Sequence, residues 1–167
     1  MSGDLKMEIR LVKENEIEKA HDMLAAAVRH SFPQFYPHST IDYVINQACN
    51  LDSLKRRAKN YHFYVAVIKN KIVGCGIIAP YRNSAGEYLL TESILMAIMV
   101  HPDFQGQGIG TAIIKALEND EYGKRAKRIE IPAAINAIPF YKKLGYEHKN
   151  GTLNYDDGHF YLEKFFN

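Results

Sequence analysis

The residues of this chain whose types and spacing most directly suggest chemistry lie in VHPDFQGQGIGTAIIKALE, residues 100–118, where Gly106, Gly108 and Gly110 alternate just before an amphipathic helix. A glycine inside a helix costs roughly 1 kcal/mol relative to alanine, so three at a helix start need a compensating use. Downstream, Ile109, Ala112, Ile113, Ala116 and Leu117 recur at helical spacing and form the face expected to pack on a sheet. The first turn then presents unpaired N–H groups and the positive end of the helix dipole. With no Cβ at alternate positions, a pyrophosphate can come down onto those N–H groups. A tight strand-to-helix turn would use the same glycines. A P-loop is excluded because no Gly-Lys-Ser/Thr follows at the required distance, and G-x-G-x-G departs from the G-x-G-x-x-G of dinucleotide-binding turns.

Two titratable groups flank this segment. Glu92 shares the two-residue period of Leu90, Ile94, Met96, Ile98 and Val100. A carboxylate on such an apolar row is either exposed at the start of the strand or desolvated with a raised pKa, and only the second makes a good base. His101 is a candidate by residue type but directly follows the strand, where a turn role is expected.

The elements that must position these groups are read from periodicity. After a tail of residues 1–6, MEIRLVK alternates Met7, Ile9 and Leu11 with charged neighbours, as a half-buried strand does. Residues 14–29 follow as a helix whose apolar face is Ile17, Ala20, Leu24, Ala27 and Val28. Pro33 and Pro37 break it, Ser39 or Thr40 caps a second helix to Asn50, and LDSLKRRAKN adds another helical piece. YHFYVAVIKN and KIVGCGIIAPY form a hairpin meeting at Asn70-Lys71, and after the polar loop RNSAGE residues 88–100 form a long apolar strand. Beyond the glycine run and its helix, RIEI is a short strand and NAIPFYKKL a short helix, with Asn136 as N-cap and Gly145 as its end. YEHKNGTLNYDDGHFYLEKF is a closing hairpin with Asn150-Gly151 at its turn. This is an α/β order over residues 7–167, one domain with a mixed sheet of about seven strands and about four helices.

Val100 to Thr111 resembles the acyl-CoA-binding motif of the GCN5-related N-acetyltransferases, Q/R-x-x-G-x-G/A, with Gln105, Gly108 and Gly110 at the defining positions. Asn136 to Tyr146 is similar to that family's second signature, a helix that carries a tyrosine and ends at a glycine-aromatic pair. Two motifs in this order, separated by one strand, specify more than either alone. The element order also matches the family's fold from about Met7 to Phe166.

The resemblance implies a sheet splayed between its fourth and fifth strands, with the pantetheine arm of acetyl-CoA in the cleft. Backbone groups of Ile98, Met99 and Val100 would bind the pantetheine amides, and one N–H at Met99 or Val100 would serve the thioester oxygen. The N–H groups of Gln105, Gly106, Gln107, Gly108, Ile109, Gly110 and Thr111 would cradle the pyrophosphate, with Asn136 near the pantetheine or phosphate. Tyr141 would protonate the coenzyme A sulfur, a role suited to a phenol because its pKa of about 10 is not far from a thiol's; packing is the plainer reading of its position.

For the base, some relatives carry a glutamate where this chain has Ile94, which leaves Glu92, Glu130 on the facing strand, or an ordered water. The plainer reading of Glu130 is a solvated strand residue. Phe35, Tyr36, His38 and Tyr43 fall where the family walls its acceptor pocket, though aromatic residues there would equally suit a core.

The implied activity is transfer of acetyl from acetyl-CoA to a primary amine, of a small molecule, by direct attack in a ternary complex without a metal. The rival readings are a protein lysine or N-terminal acetyltransferase and a non-catalytic acyl-CoA sensor. A net charge of +2 without a dense basic face argues against nucleic acid as a partner. No run approaches the roughly 20 apolar residues of a membrane span and the N-terminus has no apolar signal region, so the chain reads as cytoplasmic. Cys49 and Cys75 lack metal or redox spacing and read as packing residues. The sequence leaves room for a homodimer.

Overall fold

A computed structural model describes residues 6–152, 155–156 and 159–167, the pair 155–156 by backbone alone. Residues 1–5 of the expected tail, and 153–154 and 157–158 of the expected closing hairpin, lie outside the described residues. In chain order the elements are β1 (Met7–Leu11), α1 (Ile17–Ser31), α2 (His38–Tyr43), α3 (Leu51–Asn60), β2 (His62–Ile68), β3 (Lys71–Arg82), β4 (Tyr88–Val100) and α4 (Ile109–Glu118). They continue with α5 (Glu121–Arg125), β5 (Arg128–Ala133), α6 (Ile138–Lys143), β6 (Glu147–His148), β7 (Tyr155–Asp156) and β8 (His159–Phe165).

Hydrogen-bonded strand neighbours follow the order β1-β2-β3-β4-β5-β8-β6, with β7 on β8. The sheet is mixed, because β4 and β5 are parallel whereas β1–β2, β5–β8 and β6–β8 are antiparallel. The parallel register pairs Glu92, Ser93 and Ile94 with Arg128, Ile129 and Glu130 and stops there, although both strands run on. That is the pairing expected of a sheet that splays between its fourth and fifth strands. By packing, the chain divides into two compact units, Met1–Ile77 with Ala97–Ala116, and Ile78–Met96 with Leu117–Asn167.

In the first unit, α1 buries Ile17, Ala20, Leu24, Ala27 and Val28, the face its periodicity requires. The β2–β3 turn is Lys69-Asn70, one residue earlier than expected, with φ of 48° and 63°. Two successive left-handed residues match the right-handed twist of a two-residue hairpin, and asparagine tolerates that region. Helix α2 starts at His38 behind Pro37, so Ser39 and Thr40 sit in its first turn and cap nothing. It passes into a π-helical turn, Val44–Ala48, and Asn50 then caps α3 by accepting from the Ser53 N–H at 2.8 Å. Cys49 and Cys75 are both buried, as packing residues should be.

Helix α4 buries Ile109, Ile113, Ile114 and Leu117, whereas Ala112 and Ala116 are only partly covered. The expected face is thus turned toward the second isoleucine, since burying isoleucine removes more apolar surface from water than burying alanine. Gly74 on β3 allows this packing in the first unit, because a Cβ there would stand 2.7 Å from the Ile113 side chain and 3.2 Å from the Met99 carbonyl oxygen.

In the second unit the fully buried residues of β4 are Ser93 and Leu95, while Leu90 is 72% exposed. The inward face there is therefore the opposite of the row Leu90, Glu92, Ile94 and Met96 that the apolar pattern suggested. Ser93 is tolerated inside because its hydroxyl donates to the Tyr122 carbonyl at 2.9 Å. The closing strands also differ from expectation. Asn150 and Gly151 do form a tight turn, with φ of 58° and 70°, but β6 pairs directly with β8 through Glu147–Glu163 and His148–Leu162. The chain makes the additional strand β7 before it reverses into β8 through Tyr155–Phe160 and Asp156–His159.

Candidate active site

Gly106 and Gly108 adopt φ of 78° and 82°, a region that costs any residue with a Cβ about 1–2 kcal/mol. A Cβ on either would meet nothing within 4 Å, so the space over this backbone is open. Gly110 lies in the first turn of α4, whose N–H groups at Ile109, Gly110 and Thr111 precede the first acceptor one turn back; the Ala112 N–H already bonds the Gly108 carbonyl at 3.1 Å. The loop thus offers bare, donor-rich backbone at the positive end of a ten-residue helix.

Its approach is braced within the same unit. The Gln105 side chain donates to the Val100 carbonyl at 3.2 Å and to the Ser31 hydroxyl at 3.3 Å. His101 has the turn role expected of it, since its Nδ1 accepts from the Asp103 N–H at 3.1 Å and its own N–H bonds the Val73 carbonyl at 2.8 Å. Just upstream, Ala97 holds φ of 53° inside β4. The Cys75 thiol donates to the Ala97 carbonyl at 3.1 Å, and burial pushes that thiol's pKa up to about 12. A left-handed residue breaks the alternation of a strand, so Ala97 re-aims the backbone that leads into Ile98, Met99 and Val100.

The aromatic segment expected to meet an acceptor lies in the same unit and is not core. Phe35 and Tyr43 are 50% and 60% exposed, and His38 is exposed. Tyr36 is half-buried, its ring 5.0 Å from that of Phe32.

Tyr141 and Asn136 belong to the second unit. Tyr141 is 5% exposed, its ring 5.3 Å from Phe140 and 6.4 Å from Tyr146, and burial raises its pKa so that the phenol keeps its proton. Asn136 is not an N-cap: it lies inside a 3-10 turn, Ile135–Ala137, and Ala137 holds the cap position of α6. Among the described residues its side-chain oxygen is buried with no hydrogen-bond partner.

Glu92 and Glu130 are brought together by Arg128, which the sequence reading did not single out. Arg128 Nε donates to Glu163 at 2.8 Å, one Nη donates to Glu130, and the other stands 4.0 Å from Glu92. Lys149 Nζ adds a 2.8 Å bond to Glu130, and the Asn150 N–H donates to Glu163 at 3.0 Å. The Arg128 guanidinium also lies over the Tyr81 ring at 5.2 Å. Glu130 is thus 3% exposed and bound to two cations rather than solvated. Glu163 is held below the usual carboxylate range: the Asn150 N–H and the Arg128 guanidinium outweigh the opposing effect of its burial. Glu92 keeps 27% of its side chain exposed. The strand period gave a signal for this cluster, because Arg128 and Glu130 are two residues apart and must share a face.

Residues 59–148, 90 of the 167, match the family model described as the acetyltransferase (GNAT) domain. Among curated relatives, an uncharacterized N-acetyltransferase, ycf52, of Pyropia yezoensis is 25% identical over 112 residues, covering 62% of this chain and 63% of that protein. Another, the uncharacterized N-acetyltransferase MJ1207 of Methanocaldococcus jannaschii, is 51% identical over 57 residues, 31% of this chain and 24% of that protein. The matches therefore span less than two thirds of either relative's length. Among solved structures, the PaiA N-acetyltransferase of Thermoplasma acidophilum, in complex with coenzyme A, superposes with a TM-score of 0.80 at 15% identity, covering 96% of this chain and 99% of that one. A GNAT family acetyltransferase of Brucella melitensis, in complex with acetyl-CoA, gives 0.68 at 19% identity over 98% and 90% of the two chains. At these identities the superpositions speak for the fold.

Proposed function

The chain belongs to the GNAT acetyltransferase family, and from that premise we propose that it moves acetyl from acetyl-CoA to a primary amine of a small molecule, by direct attack in a ternary complex. The observation that carries the donor half is the loop of Gly106 and Gly108, left-handed and open above its backbone, at the N-terminus of α4. It suits a pyrophosphate, and the coenzyme A and acetyl-CoA complexes of the Thermoplasma and Brucella proteins support the same donor. The unpartnered Asn136 oxygen is an acceptor, so it suits a pantetheine N–H better than a phosphate.

In this reading a neutral amine attacks the thioester carbonyl, and the N–H of Met99 or Val100 takes the charge that develops on its oxygen. The sulfur leaves as the Tyr141 phenol gives it a proton. Among the described residues nothing hydrogen-bonds the Tyr141 hydroxyl, so its proton is uncommitted. Glu130 is bound by Arg128 and Lys149, and Glu92 is partly exposed rather than desolvated, so in this reading an ordered water, with Glu92 as the freer of the two carboxylates, takes the amine's proton. The exposed Phe35, Tyr43 and His38 would receive the acceptor, apolar surface suiting the carbon skeleton of a small amine.

Steady-state thiol release from acetyl-CoA, measured against a panel of small amines and lysine peptides, tests this. Turnover is expected with at least one small amine, and Tyr141→Phe should lower it about 10-fold or more across pH 6 to 9. An unchanged rate for Tyr141→Phe would remove it as the acid. Turnover on peptides alone would make the chain a protein acetyltransferase, and tight acetyl-CoA binding with no turnover would make it a sensor.

A further inference from the structure

Behind Tyr141 stands a polar chain that the reading above does not use. Tyr146 is fully buried, its N–H bonds the Tyr141 carbonyl at 3.1 Å, and its ring meets that of Tyr141 edge-on at 69°. Its hydroxyl reaches Glu118 Oε1 at 3.4 Å. Glu118, at the end of α4, is in turn held by Lys164 Nζ of β8 at 3.3 Å, and Lys164 lies over the Tyr146 ring at 5.4 Å. Gly145 makes room for this arrangement. It takes φ of 95° to end α6, and a Cβ there would stand 3.3 Å from Lys164 Cε.

The Tyr146 ring is therefore fixed at both ends, by backbone at one and by an ion pair at the other. Its polar end is costly to bury unless it is bonded, and a phenylalanine would pack as well without needing Glu118 or Lys164. What the bonded ring adds is a definite orientation for the face on which Tyr141 rests.

We propose that Tyr146, Glu118 and Lys164 are positioning residues that hold the Tyr141 ring in the orientation from which its hydroxyl reaches the leaving sulfur. This rests on the reading of Tyr141 as the acid. The chain acts through Tyr141 alone, so disturbing it should lower the rate of thiol release without changing the affinity for the donor.

The test uses the full chain with Tyr146→Phe, Glu118→Gln and Lys164→Met, each alone and combined with Tyr141→Phe. Tyr146→Phe removes one oxygen and keeps the ring, so the test stands even where Glu118→Gln folds poorly. Each single variant should lose about three- to tenfold in kcat, with the KM for acetyl-CoA unchanged within about twofold. In the Tyr141→Phe background the same changes should cost nothing further, and Lys164→Arg should restore most of the loss from Lys164→Met. Full kcat in the singles beside a defective Tyr141→Phe would overturn the positioning role and leave the acid in place, as would equal losses in both backgrounds. If Tyr141→Phe alone is fully active, the acid reading falls and this inference falls with it.

Discussion

Ala97 is the residue on which the backbone proposed to bind the donor turns. Its φ of 53° places an ordinary L-residue where a Cβ crowds the carbonyl that follows, at a cost of about 1–2 kcal/mol. The Cys75 thiol donates to that carbonyl, and Gly74 lets Ile113 pack close by, so the surroundings hold the conformation. A β-branched residue tolerates this region far less well. Ala97→Val is expected to lower stability by about 2–3 kcal/mol and to raise the KM for acetyl-CoA, while Ala97→Gly leaves both nearly unchanged. Urea midpoints and steady-state kinetics read the two effects, and a valine variant as stable as wild type would show that no left-handed constraint exists. Nothing in an alanine announces a left-handed backbone. The glycines at 106, 108 and 145 do announce theirs, which is why the loop before α4 and the end of α6 are legible in the sequence and the bend in β4 is not.

At the scale of elements, the bounds of β4 are legible to the residue while its inward face is not. Both of its faces are largely apolar, and the polar residue that goes inside, Ser93, does so for a bond to Tyr122 that only the fold supplies. The same holds for the cross-links among β4, β5 and β8. Spacing along β5 puts Arg128 and Glu130 on one face, but the register that sets Glu130 opposite Glu163, and Arg128 beside Glu92, comes from strand order. Because Arg128 is 8% exposed and serves several carboxylates, Arg128→Met strands buried negative charge and should cost about 3–5 kcal/mol by urea denaturation. A loss below about 1 kcal/mol would mean that the carboxylates find water or other partners.

A second ion pair ties β1 to the turn before α1. Arg10 donates to both Glu16 oxygens at 2.8 Å, and with the Lys13 N–H at 2.9 Å this lowers the Glu16 carboxyl from 4.5 to about 2. A carboxyl depressed on folding adds stability that is fully present above pH 4.5 and is lost as pH falls toward 2. Glu16→Gln should therefore flatten the stability profile over that acid window, by on the order of 1–3 kcal/mol, and should change its shape little at neutral pH. Parallel acid profiles for the two proteins would contradict the assignment.

Taken as a whole molecule, the chain's two thiols bear on the route proposed for the acetyl group. A ping-pong route needs a side chain that accepts acetyl before the amine arrives, and thiolate is the usual choice. The sequence holds two cysteines, and neither suits the task. Cys75 has no exposed surface, and with its pKa pushed up to about 12 by burial its thiol stays protonated at neutral pH. Cys49 is also buried, and its pKa is raised by the same desolvation. The Tyr141 phenol, its pKa raised as well by burial, keeps its proton near neutrality and so offers no phenolate to carry acetyl. This favours the proposed direct attack by the amine with both substrates bound, for which initial-rate lines at fixed amine concentrations should intersect when acetyl-CoA is varied. Cys49→Ala and Cys75→Ala should keep kcat within about twofold, because neither thiol carries acetyl in this reading and Cys75 only steadies Ala97 through its bond to that carbonyl. Parallel initial-rate lines, or loss of turnover in a folded cysteine variant, would instead demand an acetylated enzyme and would overturn the ternary route.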